Sequence, residues 1–281
     1  MEIKNITSPQ NSVFKDAVKK QQPRQARLRQ VFTAEGVRAV DEVLKSSGTS
    51  AGRDTSGWTT FHWEVESVWI QESFAAANQG YLKELSALEA PVYQVPDAMF
   101  RRLSDTEHPQ GVLAIVRRRQ AKPEEVFKQK ENLLLVVLEN LQDPGNVGTI
   151  LRTADAAGAT AILCTKGTCD VYSPKVVRSS MGSLLHVPVL NVASVSDIAP
   201  LLEKRRIRLL AAHLKGEKAP WNADMKGNVA IMIGNEGAGL SEEASQMAHE
   251  LVKIPMPGSA ESLNAGIACG MLLYEALRQR S

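Results

Sequence analysis

Short, mostly apolar runs recur along the second half of the chain. Leu133–Leu138, Ala161–Cys164, Ile207–Ala211 and Val229–Ile233 are each four to six residues long. That length and continuity suit strands buried on both faces of a parallel sheet. Segments of helical character separate most of them. The pattern predicts an α/β domain over 131–281, with any ligand at the carboxyl ends of its strands. The first half reads as a smaller α/β module over 31–116. Val37, Val40 and Leu44 share one face of a helix predicted over Ala34–Leu44. Short strands are expected at Val65–Ile70, Val92–Val95 and Val112–Val116, with helical runs at Glu72–Asn78 and Asp97–Leu103. Ser46–Gly57 is rich in Ser, Thr and Gly and reads as a mobile loop. A polar stretch over 117–130, opened by Arg117-Arg118-Arg119, reads as a linker.

Charge changes the picture locally. The 281 residues carry 33 Lys plus Arg against 31 Asp plus Glu, a net charge of +2. A bulk polyelectrolyte grip on nucleic acid is excluded, so any such contact must come from clusters. One cluster lies in a basic arm over 1–30, and across its segment 15–29 Lys15, Lys19, Lys20, Arg24, Arg27 and Arg29 are opposed only by Asp16. No apolar run approaches the ~20 residues of a membrane span, and the polar N-terminus predicts no secretory signal. Three cysteines with no C-x-x-C, and five scattered histidines with no H-E-x-x-H, argue against a disulfide framework and a metal site. A reducing cytoplasm fits.

Three loops carry the candidate chemistry. The first, Glu139–Gly148, follows a predicted strand and opens a helix whose apolar stripe is Val147, Ile150, Leu151, Ala154 and Ala157. At about 100° per residue, Arg152 falls opposite that stripe. Pro144-Gly145-Asn146 reads as a tight turn, with Asn146 able to cap the helix. The second loop, Gly234-Asn235-Glu236-Gly237-Ala238-Gly239, permits close backbone approach to a ligand. It lacks the Gly-Lys-Ser/Thr ending of a phosphate loop, and Glu236 suits a cationic or hydroxyl-rich ligand better. The third runs from Ile254 to Asn264 into a final helix, with Ser262 as the expected cap and Gly266 and Gly270 marking a packing seam. No G-x-G-x-x-G is present, which disfavours a nicotinamide dinucleotide.

In order and spacing, Asn140–Ala154, Ile233–Leu240 and Ile254–Asn264 resemble the three signature motifs of the SpoU/TrmH family, the 2′-O-ribose RNA methyltransferases of the SPOUT superfamily. Pro174–Arg178 with Ser180-Met181-Gly182 resembles a stretch the family carries between its first two motifs. Phe32–Arg38 and Pro109–Ala114 resemble the ends of its ribosomal-protein-like α/β/α substrate-binding domain. The resemblance implies a deep trefoil knot in the C-terminal domain, which general topology rules would not suggest. It also implies S-adenosyl-L-methionine as cofactor, no metal, and a homodimer through the catalytic domain. By matching positions, Gly234, Ile254 and Leu263 would contact the cofactor, and Arg152, Asn146, Glu236, Ser262 and Asn264 would form the catalytic group. Arg152 would serve as general base or as an electrostatic stabiliser. Lys19, Lys20, Arg24, Arg27, Arg29, Arg117 and Arg118 would hold RNA phosphates. Arg101, Arg102 and Arg119 are further candidates, and Phe32, Phe61 and Trp63 would stack on bases or lie in the core. The expected substrate is 23S rRNA, at a guanosine or uridine. A tRNA substrate and a non-catalytic RNA-binding role are the alternatives.

Overall fold

The computed structural model describes residues 3–47, 63–118, 121–127 and 131–281. Most of the predicted Ser46–Gly57 loop lies outside these residues, as do Phe61 and Arg119. The chain divides into two compact units. Met1–Arg119 together with Tyr172–His186 form the first, and Gln120–Val171 together with Val187–Ser281 form the second.

The first unit runs β1 (Lys4–Asn5), α1 (Ser12–Lys20), α2 (Pro23–Leu28), β2 (Val31–Glu35), α3 (Val37–Ser46), β3 (Val65–Gln71), α4 (Glu72–Ala77), α5 (Gln79–Ser86), β4 (Val92–Val95), α6 (Asp97–Phe100) and β5 (Val112–Arg117). Its five-stranded sheet has the order β1-β4-β3-β5-β2. The strands β1, β4 and β3 are mutually parallel, whereas β5 is antiparallel to both β3 and β2. The helix predicted from Ala34 begins instead at Val37. Ala34 and Glu35 belong to β2, in register with Ala114 and Leu113, and Gly36 ends the strand at φ +94°. A β-branched and aromatic run (Val31-Phe32-Thr33) favours the strand, and the turn at Gly36 needs a residue that tolerates positive φ.

The basic segment is a folded part of this unit and not an arm. Asn11 caps α1 by accepting from the N–H groups of Val13 and Phe14. Between the lysines, Phe14 and Ala17 lie one turn apart and are buried against Trp69, Leu113 and Ile115. Residues 172–186, expected within the second domain, also belong here. They carry the helix that follows β7 in the chain and one 3₁₀ turn at Ser183–Leu185. Tyr172 packs on Phe32, with centroids 5.3 Å apart, and Trp63 Nε1 donates to the Leu185 carbonyl at 3.0 Å. Phe32 and Trp63 are therefore core residues, 3% and 5% exposed, and not base-stacking platforms.

The second unit's elements are α7 (Pro123–Phe127), β6 (Leu134–Leu138), α8 (Pro144–Ala156), β7 (Ala161–Thr165), then, after α9 (Pro174–Ser179) in the first unit, β8 (Val189–Val192), α10 (Ala199–Arg205), β9 (Arg208–Ala212), β10 (Val229–Ile233), α11 (Glu242–Met247), β11 (Glu250–Val252) and α12 (Ala265–Arg280). All pairings in its six-stranded sheet are parallel, in the order β11-β9-β10-β6-β7-β8. The four predicted strands are present, and they are buried along their central residues. The predicted linker is partly helical, because Val126 and Phe127 are buried in α7. The chain steps from β6 outward to β7 and β8, then returns to the other side of β6 with β9 and β10. That reversal makes the carboxyl ends of β6 and β10 a topological switch point, where a crevice opens in such sheets.

Candidate functional site

The loops after β6 and β10 meet at this switch point, and acceptor-only carboxylates tie them together. Glu139 accepts from the Ser241 N–H at 2.9 Å and from its hydroxyl at 2.6 Å. Glu236 accepts from the N–H groups of Gln142 and Asp143 and from Asn146 Nδ2, at 3.2, 2.9 and 3.1 Å. A carboxylate can only accept, so it orients the amide beyond it. Asn146 turns its Nδ2 to Glu236, and its Oδ1 then accepts from Asn264 Nδ2 at 2.7 Å. Asn264 in turn presents Oδ1 to the N–H groups of Gly266 and Ile267, at 2.9 and 3.2 Å. One polar chain thus runs Glu236–Asn146–Asn264 and fixes all three loops. Burial pushes the Glu236 carboxyl up, but the Asn146 amide and the backbone N–H groups outweigh it and hold the group below its ordinary value.

Two expected caps are displaced. Asp143, not Asn146, caps α8, accepting from the Asn146 N–H at 2.8 Å with Pro144 in the first turn. Asn146 sits inside the helix, 8% exposed, because its side chain is needed between Glu236 and Asn264. Asn264, not Ser262, caps α12. Ser262 stands two residues earlier, exposed in the third loop.

Together the loops enclose a cavity of about 550 Å³, within the size of small-molecule clefts. Gly234, Ile254, Leu263, Asn146, Ser262 and Asn264 all line it, as does Glu236. A Cβ on Gly234 would lie 2.4 Å from the Gly239 carbonyl carbon, so only glycine allows the loop to close there. Sequence reading missed a fourth contributor, the turn Ala212-His213-Leu214-Lys215 after β9. Its position at a strand end beside β10 was the available signal. Arg152 projects from the exposed side of α8, opposite buried Ile150, Leu151 and Ala154, and is not among the cavity's lining residues. Gly266 and Gly270 form the expected seam, with Gly266 against Thr149 and Gly270 against Thr153 of α8.

The basic candidates separate by environment. Lys19, Arg24, Arg27 and Arg29 are exposed, with Arg29 paired to Asp16. Lys20 is not available as a surface cation. It is half-buried between Asp16, at 2.8 Å, and Glu66. Arg117 pairs with Glu64 at 3.1 Å. Arg118 donates Nε to the Val31 carbonyl at 2.7 Å and lies over the Tyr172 ring. Arg280 is structural, donating to the carbonyls of Met225, Asn132, Leu133 and Gly227. Among the described residues no cluster of three His, Cys, Asp or Glu could hold a metal ion, and no helix is long and apolar enough to cross a membrane. Burial pushes the thiols of Cys164 and Cys269 up to about 12.

Residues 133–274 match the family model described as SpoU rRNA Methylase family, and residues 33–121 match RNA 2′-O ribose methyltransferase substrate binding. The chain is 37% identical over 194 residues to the 23S rRNA (uridine(2479)-2′-O)-methyltransferase of Streptomyces viridochromogenes, covering 67% of each. It is 29% identical to the 23S rRNA (guanosine(2553)-2′-O)-methyltransferase RlmP of Bacillus subtilis, over 97% of this chain and 98% of that one. Among solved structures, the SpoU methyltransferase AviRb of Streptomyces viridochromogenes in complex with AdoMet superposes with a TM-score of 0.81 at 28% identity, covering 96% of this chain and 98% of that one.

Proposed function

Because the chain belongs to the SpoU rRNA methylase family, we propose that it transfers a methyl group from S-adenosylmethionine to a ribose 2′-hydroxyl of 23S ribosomal RNA. The observation that carries the reading is the convergence of three loops on one cavity through the Glu236–Asn146–Asn264 chain. The cavity fits the cofactor. It is large enough, and the tight Gly234 turn opens backbone groups to a ligand while Ile254 and Leu263 supply apolar contact. When bound, the cofactor supplies an electrophilic methyl group on a sulfonium.

The protein's part is to orient the ribose and manage one proton. Glu236 is a poor general base, since its carboxylate is held ionised by three donors and is occupied in fixing the first loop. Asn264 and Ser262 line the cavity, and their part is to orient the sugar. Arg152 carries a guanidinium, a planar set of N–H donors with no acceptor, and so is not suited to take up the hydroxyl proton. Its role is to hold an RNA phosphate and stabilise the oxygen that develops charge. Among the described residues Arg152 has no hydrogen-bond or ion-pair partner.

The same reading extends to a trefoil knot in the second unit, to the cytoplasm as its place of action, and to a homodimer. The dimer is supported by α12, which exposes Ile267, Met271 and Tyr274 at 51%, 47% and 71% along one face. Incubating the protein with labelled S-adenosylmethionine and ribosomal RNA, then mapping ribose methylation by mass spectrometry, tests the activity. One 2′-O-methylated nucleotide in 23S rRNA is expected. Methylation of tRNA alone would move the substrate, and no transfer to either RNA would overturn the reading.

A further inference from the structure

A cleft of about 350 Å³ lies between α1 and the sheet of the first unit. Its floor is aromatic. Trp69 is 1% exposed, and Tyr93, its register neighbour on β4, stacks on it at 4.7 Å with planes 30° apart. Lys20, Glu66 and Ser67 also line it. Glu66 is there because β3 is irregular. Val65 pairs with Val116 and Ser67 with Ile115, so the two strands shift register across Glu66. A bulge of this kind re-aims a side chain. Consecutive residues of a regular strand point to opposite faces, yet Glu66 and Ser67 line the same cleft.

The polar groups there are incompletely matched. Lys20 holds Glu66 Oε1, while Glu66 Oε2 is buried without a hydrogen-bond partner among the described residues. An orphaned acceptor is costly to leave so. Ser67 Oγ accepts from Trp69 Nε1 at 3.0 Å, which leaves its own proton for another acceptor. Asp16, which also lines the cleft, is already paired with Lys20 at 2.8 Å, so Glu66 Oε2 is the open acceptor beside the Lys20 ammonium and the Ser67 hydroxyl, over an aromatic plate, and that set matches one nucleobase best. Guanine carries adjacent N–H donors at N1 and N2, suited to a carboxylate, and an acceptor at O6, suited to an ammonium or hydroxyl. Adenine lacks the paired donors, and uracil offers one N–H between two acceptors.

We propose that this cleft is a subsite for an unpaired guanine base of the RNA substrate, stacked on Tyr93 and read by Glu66, Lys20 and Ser67. The inference rests on RNA being the substrate. A small rotation of Glu66 gives Oε2 the partner it lacks. Lys15 and Lys19, exposed on the same helix as Lys20, take the adjoining phosphates.

The test titrates guanosine, adenosine and uridine 5′-monophosphates into the full chain, with S-adenosylhomocysteine at saturation to fill the cofactor cavity. Binding is read by saturation-transfer NMR and calorimetry. The guanosine nucleotide is expected to bind at least about tenfold tighter than the others. Glu66→Gln should bring it to the adenosine level. Tyr93→Leu, which keeps apolar packing on Trp69, should weaken it by about tenfold at an unchanged melting temperature. A single-stranded oligoribonucleotide with one guanosine should bind tighter than the free nucleotide and lose that gain on G-to-A replacement. Equal affinity of oligonucleotide and nucleotide would overturn RNA as the source. Absence of base preference, or indifference to both substitutions, would overturn the subsite and mark the ion pair as a clamp for α1. Failure of the methyltransferase reading shows separately, as failure of S-adenosylhomocysteine to bind.

Discussion

At the residue scale, the roles proposed for Arg152 and Glu236 divide the work of the candidate site. Arg152 lies on the exposed side of α8, where it has no hydrogen-bond or ion-pair partner among the described residues. Arg152→Ala should therefore leave folding and cofactor affinity intact and lower kcat by roughly 10²–10³, the usual effect of losing one oxyanion donor. Arg152→Lys should recover little, because a point charge does not replace the planar fork on a phosphate. Single-turnover kinetics beside calorimetry checks both. Glu236 makes the opposite prediction. Its folded pKa is depressed, so its stabilisation is full above the unfolded value and is lost as pH falls through the folded one. Cofactor affinity should hold through neutral pH and fall in the acid range below the ordinary carboxylate value. Glu236→Gln should bind the cofactor more weakly at pH 7 and lose that acid-side fall, since an amide nitrogen cannot accept from the Gln142 N–H. Side-chain chemistry was legible in the sequence here, but capping was not. Each loop offers two capping residues, Asp143 and Asn146 in one and Ser262 and Asn264 in the other. Which one caps depends on where Glu236 pulls Asn146, and that contact spans 90 residues.

At the element scale, continuous aliphatic runs identified four buried strands of the second unit, because a parallel strand covered on both faces needs no alternation. Strands β2, β8 and β11 escaped for physical reasons. β2 merges with the following helix in apolar periodicity, and β8 and β11 are edge strands of four and three residues. A packing seam on α12 was legible from its glycines, though not that α8 covers it, and the structure shows that the two glycines are not equivalent. A Cβ at Gly266 would meet Thr149 Cγ2 at 3.0 Å, whereas one at Gly270 would meet Thr153 Cγ2 at 3.7 Å, an ordinary contact. Gly270→Ala should be neutral or stabilise by up to about 1 kcal/mol, the helix-propensity gain. Gly266→Ala should lose that gain to crowding and disturb the Asn264 cap beside it, whose Oδ1 lies 3.2 Å from the same added carbon. Thermal melts of the two variants, with cofactor titration, separate the cases.

At the scale of the whole molecule, two surfaces decide how the chain is used. The exposed stripe on α12 supports a self-associating face, and a charge placed in it should break a dimer without touching the cavity. Tyr274→Asp is expected to shift the mass in light scattering from twice the chain to once, and a monomeric wild type would remove the argument. The second surface is internal. Tyr172–His186 continues the chain between β7 and β8 of the second unit, yet its apolar residues are buried in the first. Val176, Leu184 and Leu185 are 0%, 3% and 6% exposed there, Tyr172 stacks on Phe32, and His186 meets Glu42 at 3.0 Å. Sequence periodicity could not assign this segment, because a short amphipathic helix shows that it has an apolar face but not what covers it. The two units are thus joined by three chain crossings instead of one linker, near residues 119, 171 and 186. Cutting the chain at the apparent linker should not yield two intact domains. A truncation keeping only residues 120–281 leaves the apolar face of 172–186 without its cover, so that segment should exchange its amide hydrogens near the unprotected rate while β6, β7 and β10 stay protected. Retained protection over 174–185 in the truncated chain would mean that the crossover is held by the second unit after all.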